Sequence, residues 1–234
     1  MKKLISLSVL TITLSHCSWL CAQDLKTFPT NCEPMEISAD QAASESVELV
    51  QSCGFGSAFI SRLDIEDLLK TEKCVGIRFY ISMETGDQKY ADVLAVAIDE
   101  NGQEIGNSFQ RTYLMVKSLD EKSYPANARG LNIYEAERCV SNLSDGKSGL
   151  NPYVGYLGSE TLSNLLKQDC DGIRVYPSDV KIDGKTYHSM AYGAAKSYDG
   201  KVSDATDVYY RAIHPCPIEC GGDGDKNYLW NSKD

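Results

Sequence analysis

The sequence predicts an α+β fold of two similar subdomains, each with two helices packed on a small antiparallel β-meander. Three observations carry that expectation. Cys74-Val75-Gly76-Ile77-Arg78-Phe79-Tyr80 returns as Cys170-Asp171-Gly172-Ile173-Arg174-Val175-Tyr176, so the pattern C-x-G-I-R-x-Y occurs twice. Each copy follows a leucine-bearing run, Asp67-Leu68-Leu69-Lys70 in one case and Asn164-Leu165-Leu166-Lys167 in the other. Each copy also leads towards a glycine turn between apolar stretches, Asp99-Glu100-Asn101-Gly102 and Asp199-Gly200, which is hairpin chemistry. A chain of 234 residues is long enough for two small domains.

In chain order, Lys2 and Lys3, the apolar run Leu4 to Leu14 and the small and polar residues up to Gln23 have the layout of a secretory signal over residues 1–23. The expected location is therefore outside the cytoplasm: periplasm, cell surface or extracellular space. A lipid anchor at Cys17 or Cys21 is the competing reading, but His16 and Trp19-Leu20 replace the small residues such a cleavage site wants. The apolar run is too short to cross roughly 30 Å of hydrocarbon, and no later stretch is longer, so no transmembrane segment is expected. The formal charge of −10 falls to −12 if Lys2 and Lys3 are removed, which argues against a nucleic-acid partner.

Residues 24–36, with Pro29, Cys32 and Pro34, read as an N-terminal arm. The first unit spans 37–118. Ser38 with Gln41 fits a capping box that opens a helix through Ala42 and Val47 to Leu49-Val50. Ala58-Phe59-Ile60 is a short strand or connector. Asp64 is expected to cap a second helix, with Ile65, Leu68 and Leu69 on one face. In the following strand Val75, Ile77, Phe79 and Ile81 alternate with Gly76, Arg78 and Tyr80, so one face is apolar and the other presents an arginine and a phenol. Thr85-Gly86-Asp87 turns the chain into a strand ending at Ile98, and a third strand is expected to begin near Gln103, with Tyr113 to Val116 as a further one. Residues 119–131 read as a linker. The second unit, 132–213, repeats the order: a helix with Ile133, Ala136, Val140 and Leu143, the run Tyr153 to Leu157, a helix with Leu162, Leu165 and Leu166, and the strand Cys170 to Tyr176. The strand Thr186 to Ala195 and the run Val208-Tyr209-Tyr210 follow, and residues 214–234 form a cysteine-containing tail.

Beyond the leader there are seven cysteines: Cys32, Cys53, Cys74, Cys139, Cys170, Cys216 and Cys220. In an exported chain these are disulfide candidates, and their odd number leaves one thiol over. His214 with Cys216 and Cys220 offers an alternative zinc set, although export favours oxidation over thiolate ligation. Asp223, Asp225 and Asn227 imitate the start of a calcium loop but lack its closing glutamate. No metal is favoured, and no cofactor is expected.

The leucine-bearing helix, x-G-I-R-x-Y, the turn from Asp99 to Gly102 and P-C-P-x-x-C from Pro215 to Cys220 resemble a group of short uncharacterised Bacteroidota-type proteins. Those proteins typically carry one such unit, here duplicated. The resemblance implies no activity and transfers no catalytic residue.

Arg78, Tyr80, Arg174 and Tyr176 are the candidate binding residues, because a guanidinium fork can grip a carboxylate or sulfate. The structural alternative has each arginine stacked on its tyrosine and paired with a helix carboxylate such as Glu66. Fourteen tyrosines against five phenylalanines suit either a contact surface or a half-exposed sheet. The function expected is that of an exported, disulfide-stapled, non-catalytic binding protein with a protein or glycan partner. A secreted hydrolase using a Cys/His pair, drawing on His188 or His214, is the alternative from another class, and a metal-binding module at the C-terminal cluster the third.

Overall fold

Apolar alternation builds the strands, and the way those strands find neighbours sets the architecture. The structure, a computed structural model, describes residues 34–45, 56–86, 90–106, 109–119, 128–145, 154–182 and 185–212. Along them run β1 (Met35–Ser38), α1 (residues 39–45), β2 (Ala58–Ser61), α2 (Arg62–Leu69), β3 (Gly76–Ser82), β4 (Asp92–Ile98) and β5 (Tyr113–Val116). Then come β6 (Arg129–Leu131), α3 (Ile133–Asp145), β7 (Val154–Gly158), α4 (Ser159–Leu166), β8 (Gly172–Ile182), β9 (Lys185–Tyr198) and β10 (Lys201–Arg211). The order β-α-β-α-β-β-β thus occurs twice.

The strands do not all pair within their own half. One antiparallel sheet has the order β1-β10-β9-β8-β2 and the other β6-β5-β4-β3-β7. The meander β8 to β10 is flanked by β1 and β2 from the first half, and the meander β3 to β5 by β6 and β7 from the second. Each half has lent its leading β-α-β arm to the other.

This overturns the expected α+β pair of subdomains, because the protein is mostly β, with two five-stranded sheets each assembled from both halves. The physical reason is that a three-stranded meander has two open edges, and an arm joined by a loop can dock on either of two meanders that begin with the same motif. Period-2 alternation fixes which face of a strand is buried and says nothing about which strand lies beside it.

The two sheets pack face to face. Ile77, Phe79, Ile81, Val93 and Ala95 meet Ile173, Val175, Met190, Tyr192 and Ala194 in one apolar core, and the rings of Phe79 and Tyr192 lie 5.0 Å apart across it. Ile65 of α2 and Leu162, Leu165 and Leu166 of α4 join the same core. On the outer face of the β3–β5 sheet, α3 packs Ala136, Cys139 and Val140 onto Tyr80, Leu94 and Tyr113. On the other sheet's outer face, Ala42 of α1 meets Ala191 and Tyr209. The layers are helix, sheet, sheet, helix; α3 covers the outer face of the β3–β5 sheet, whereas α1 covers the other outer face only around Ala191 and Tyr209.

Local signals hold with adjustments. Ser38 caps α1, its Oγ accepting from the Gln41 amide at 3.2 Å. Helix α2 is capped by Ser61 and not by Asp64: the Asp64 amide donates to Ser61 Oγ at 3.2 Å, and that hydroxyl donates back to the Asp64 carboxylate at 2.6 Å. Asn132 and Glu135 form a reciprocal capping box on α3, with both bonds at 3.0 Å. The strand expected near Gln103 is only an isolated bridge between Ile98 and Glu104. Strand β6 falls at the end of the stretch read as a linker, and β1 begins inside the expected arm. Among the described residues no helix is long and apolar enough to cross a membrane.

Candidate functional site

The repeated motif is where the two halves meet, and each of its positions has a separate task. Its second residue offers a backbone carbonyl to the other half's helix: the Ser159 amide at the start of α4 donates to Val75 O at 2.9 Å, and the Arg62 amide at the start of α2 donates to Asp171 O at 2.7 Å. The glycine lets the borrowed strand come close. A Cβ on Gly76 would lie 2.6 Å from Leu157 O of β7, and one on Gly172 would lie 2.1 Å from Ile60 O of β2. The isoleucines, Ile77 and Ile173, enter the central core, where both are fully buried. The arginine and tyrosine point the other way, to the outer faces.

Cross-strand register shows that those outer faces are equivalent. One row reads Tyr156, Arg78, Val96, Tyr113, Leu131 across β7-β3-β4-β5-β6. The other reads Phe59, Arg174, Gly193, Tyr209, Ile37 across β2-β8-β9-β10-β1. In both, a tyrosine on the third meander strand stands two strands from the arginine. In both, an acid from beyond the glycine turn reaches the pair.

The first row is closed. Arg78 Nη1 lies 3.3 Å from Glu104 Oε1, and Arg78 Nη2 donates to Gly102 O at 2.9 Å. The Tyr80 hydroxyl donates to the same Glu104 oxygen, and Tyr113 donates to Glu104 Oε2 at 2.7 Å. The side chains of Arg78 and Glu104 are 1% and 0% exposed beneath α3. Burial, followed by the charge of Glu104, pushes the Tyr80 and Tyr113 phenols far up, so both remain donors. Glu137 of α3 approaches the cluster, and burial together with Glu104 raises its carboxyl above the usual 4.5. The folded protein therefore holds that proton to higher pH than the unfolded chain does, and stability declines as pH rises from the ordinary carboxylate range through the raised value. Glu137→Gln should flatten this decline and raise stability at neutral pH by less than about 1 kcal/mol, because the group is only partly buried. Denaturant midpoints between about pH 4 and 8 will read the slope.

The second row is open. Arg174 Nε donates to Ser57 Oγ at 3.0 Å, and its guanidinium lies 4.8 Å from the centre of the Tyr176 ring, a cation–π stack. Nη1 stands 3.8 Å from Asp204 Oδ1, beyond hydrogen-bond reach. Asp204 accepts instead from the Tyr176 hydroxyl, and Tyr209 stands close enough for the Asp204 carboxylate to act on its phenol. Those two rings meet edge-on at 5.9 Å, and Gly193 makes room for them, since a Cβ there would strike the Tyr209 ring at 2.5 Å. Burial and then Asp204 push both phenols up. Among the described residues Arg174 Nη2 has no hydrogen-bond partner, and the side chains of Arg174 and Asp204 are 25% and 32% exposed.

Of the four candidate binding residues, Arg78 and Tyr80 are consumed inside the fold, while Arg174 and Tyr176 border solvent. Glu66 is not the partner of either arginine; it pairs with Arg62 at 3.9 Å. Glu104, Asp204, Tyr113, Tyr209 and Ser57 escaped sequence reasoning. Tyr113 and Tyr209 carry the same spacing as the two motif copies and were findable from it. The two acids lie at different distances beyond their turn glycines, which hid their equivalence.

Among the described residues Cys74, Cys139 and Cys170 form no disulfide with one another. Cys74 Sγ donates to Gly76 O at 3.2 Å beside a cavity of about 390 Å³ lined by Lys73, Asp99, Glu100 and Asn101. Burial pushes the Cys74 and Cys139 thiols up, away from the thiolate that a nucleophile or a zinc ligand requires. Cys170 Sγ accepts from Arg62 at 3.4 Å. Cys32, Cys53, Cys216, Cys220, His214, Asp223, Asp225 and Asn227 lie outside the described residues. No protein-family model, curated protein or solved structure matches this chain.

Proposed function

We propose that this is an exported, non-catalytic binding protein whose recognition surface is the open row around Arg174. The observation that carries the reading is the contrast between two equivalent rows: in one the arginine is fully satisfied and sealed under a helix, in the other it keeps unused donors at the surface. A guanidinium held by Ser57 on one edge and a tyrosine ring on one face is preorganised, so little rotamer entropy is lost when a partner docks. The leader-like residues 1–23 support export.

Arg174→Gln tests it. The variant should lose less than about 1 kcal/mol of stability, as partly exposed ion pairs do, and should lose at least about tenfold in affinity for any partner captured from an immobilised panel of peptides and glycans. Unchanged capture of every partner by the variant would sink the reading.

A further inference from the structure

The closed row shows what kind of group completes the open one. Arg78 meets Gly102 O and the Glu104 carboxylate, both from the short segment Gly102-Gln103-Glu104 beyond the turn. That segment is held by the Ile98–Glu104 bridge and by the bond from the Ile105 amide to Ala97 O at 2.8 Å. In the second row the corresponding stretch, Lys201 to Asp204, is instead laced to β9 as regular hairpin ladder. Asp204, one methylene shorter than Glu104, stops at the Tyr176 hydroxyl, so the places of Gly102 O and the Glu104 carboxylate are not filled at Arg174 within hydrogen-bond distance.

We infer that Arg174 binds an acidic peptide of a partner protein, one glutamate carboxylate together with a nearby backbone carbonyl filling the places that Glu104 and Gly102 fill at Arg78. This rests on the open row being the recognition surface. Charge narrows the class further. Asp204 and Asp207 adjoin Tyr209, and the whole chain carries −10, so runs of acidic residues are repelled and a lone glutamate among neutral residues is preferred. Asp204 competes with the ligand for the guanidinium and weakens it.

The test titrates ¹⁵N-labelled full chain with acetyl-Gly-Gln-Glu-amide, the order found at residues 102–104, and with its neutral analogue acetyl-Gly-Gln-Gln-amide. The readouts are the Arg174 Nε–H and Gly193 amide signals. Expected are saturable shifts with a millimolar dissociation constant for the acidic peptide, at least tenfold weaker binding of the neutral one, loss in Arg174→Gln, and severalfold tighter binding in Asp204→Asn. Equal behaviour of the two peptides, or weaker binding in Asp204→Asn, overturns the inference. A neutral glycan captured through Arg174 while both peptides fail would also overturn it and leave the recognition surface standing. Failure of every panel member to depend on Arg174 overturns both.

Discussion

Glu104→Gln is expected to lower stability by about 3–5 kcal/mol, because it leaves the Arg78 guanidinium buried without its counter-charge. At this chain length that corresponds to a melting temperature about 10 °C lower. The magnitude follows from the seal: Arg78 and Glu104 are 1% and 0% exposed, and three side chains converge on one carboxylate. Asp204→Asn provides the internal control. It changes the equivalent acid in the open row, where water can replace what is lost, and it should cost less than about 1 kcal/mol. Equal losses for the two variants, measured by urea unfolding, would refute the distinction between a closed and an open row. The double variant Arg78→Met with Glu104→Gln should be less destabilised than the sum of its parts, since the unpaired charge leaves with the arginine.

Gly172→Ala is expected to cost about 3 kcal/mol. The new methyl would lie 2.1 Å from Ile60 O and 2.9 Å from the Phe59 ring. The nearer obstacle is backbone of a four-residue edge strand and cannot rotate away, so β2 must separate from β8. Overpacking a filled site accounts for roughly 1–3 kcal/mol, and the lost ladder adds to it. Hydrogen exchange gives the specific signature: the amides of residues 58–61 should lose protection before those of β9. Uniform loss across the sheet, or no loss, would contradict the account of the glycine as a docking surface for the borrowed strand.

Much of the inner architecture was legible in the sequence. The alternation of Ile77, Phe79 and Ile81 with Arg78 and Tyr80 correctly separated the core face from the polar face, and the repeated heptapeptide marked two equivalent places in the fold. The Ser38 cap and the apolar face of α3 were also readable. Three things were not. Strand partnership was hidden because β2 satisfies the same local pattern beside either meander. The burial of Arg78 was hidden because a polar residue facing away from a core reads as solvent-facing until a second layer covers it, and that layer, α3, comes from the other half. The acids were hidden because they sit beyond the turns, where periodicity gives no address. The sealed row therefore looked like a site, and the difference between two identical motifs could not be seen in either.

The exchange of arms has a consequence for how such a chain can change over time. In most duplicated proteins one copy is free to drift while the other keeps the original role. Here β7 leans on Gly76 and β2 leans on Gly172, so each copy is the other's structural environment. Drift is confined to groups that touch only their own surroundings, such as the reach of one acid beyond its hairpin. Two halves with a shared frame and different acids, Glu104 in one and Asp204 in the other, are what that constraint permits.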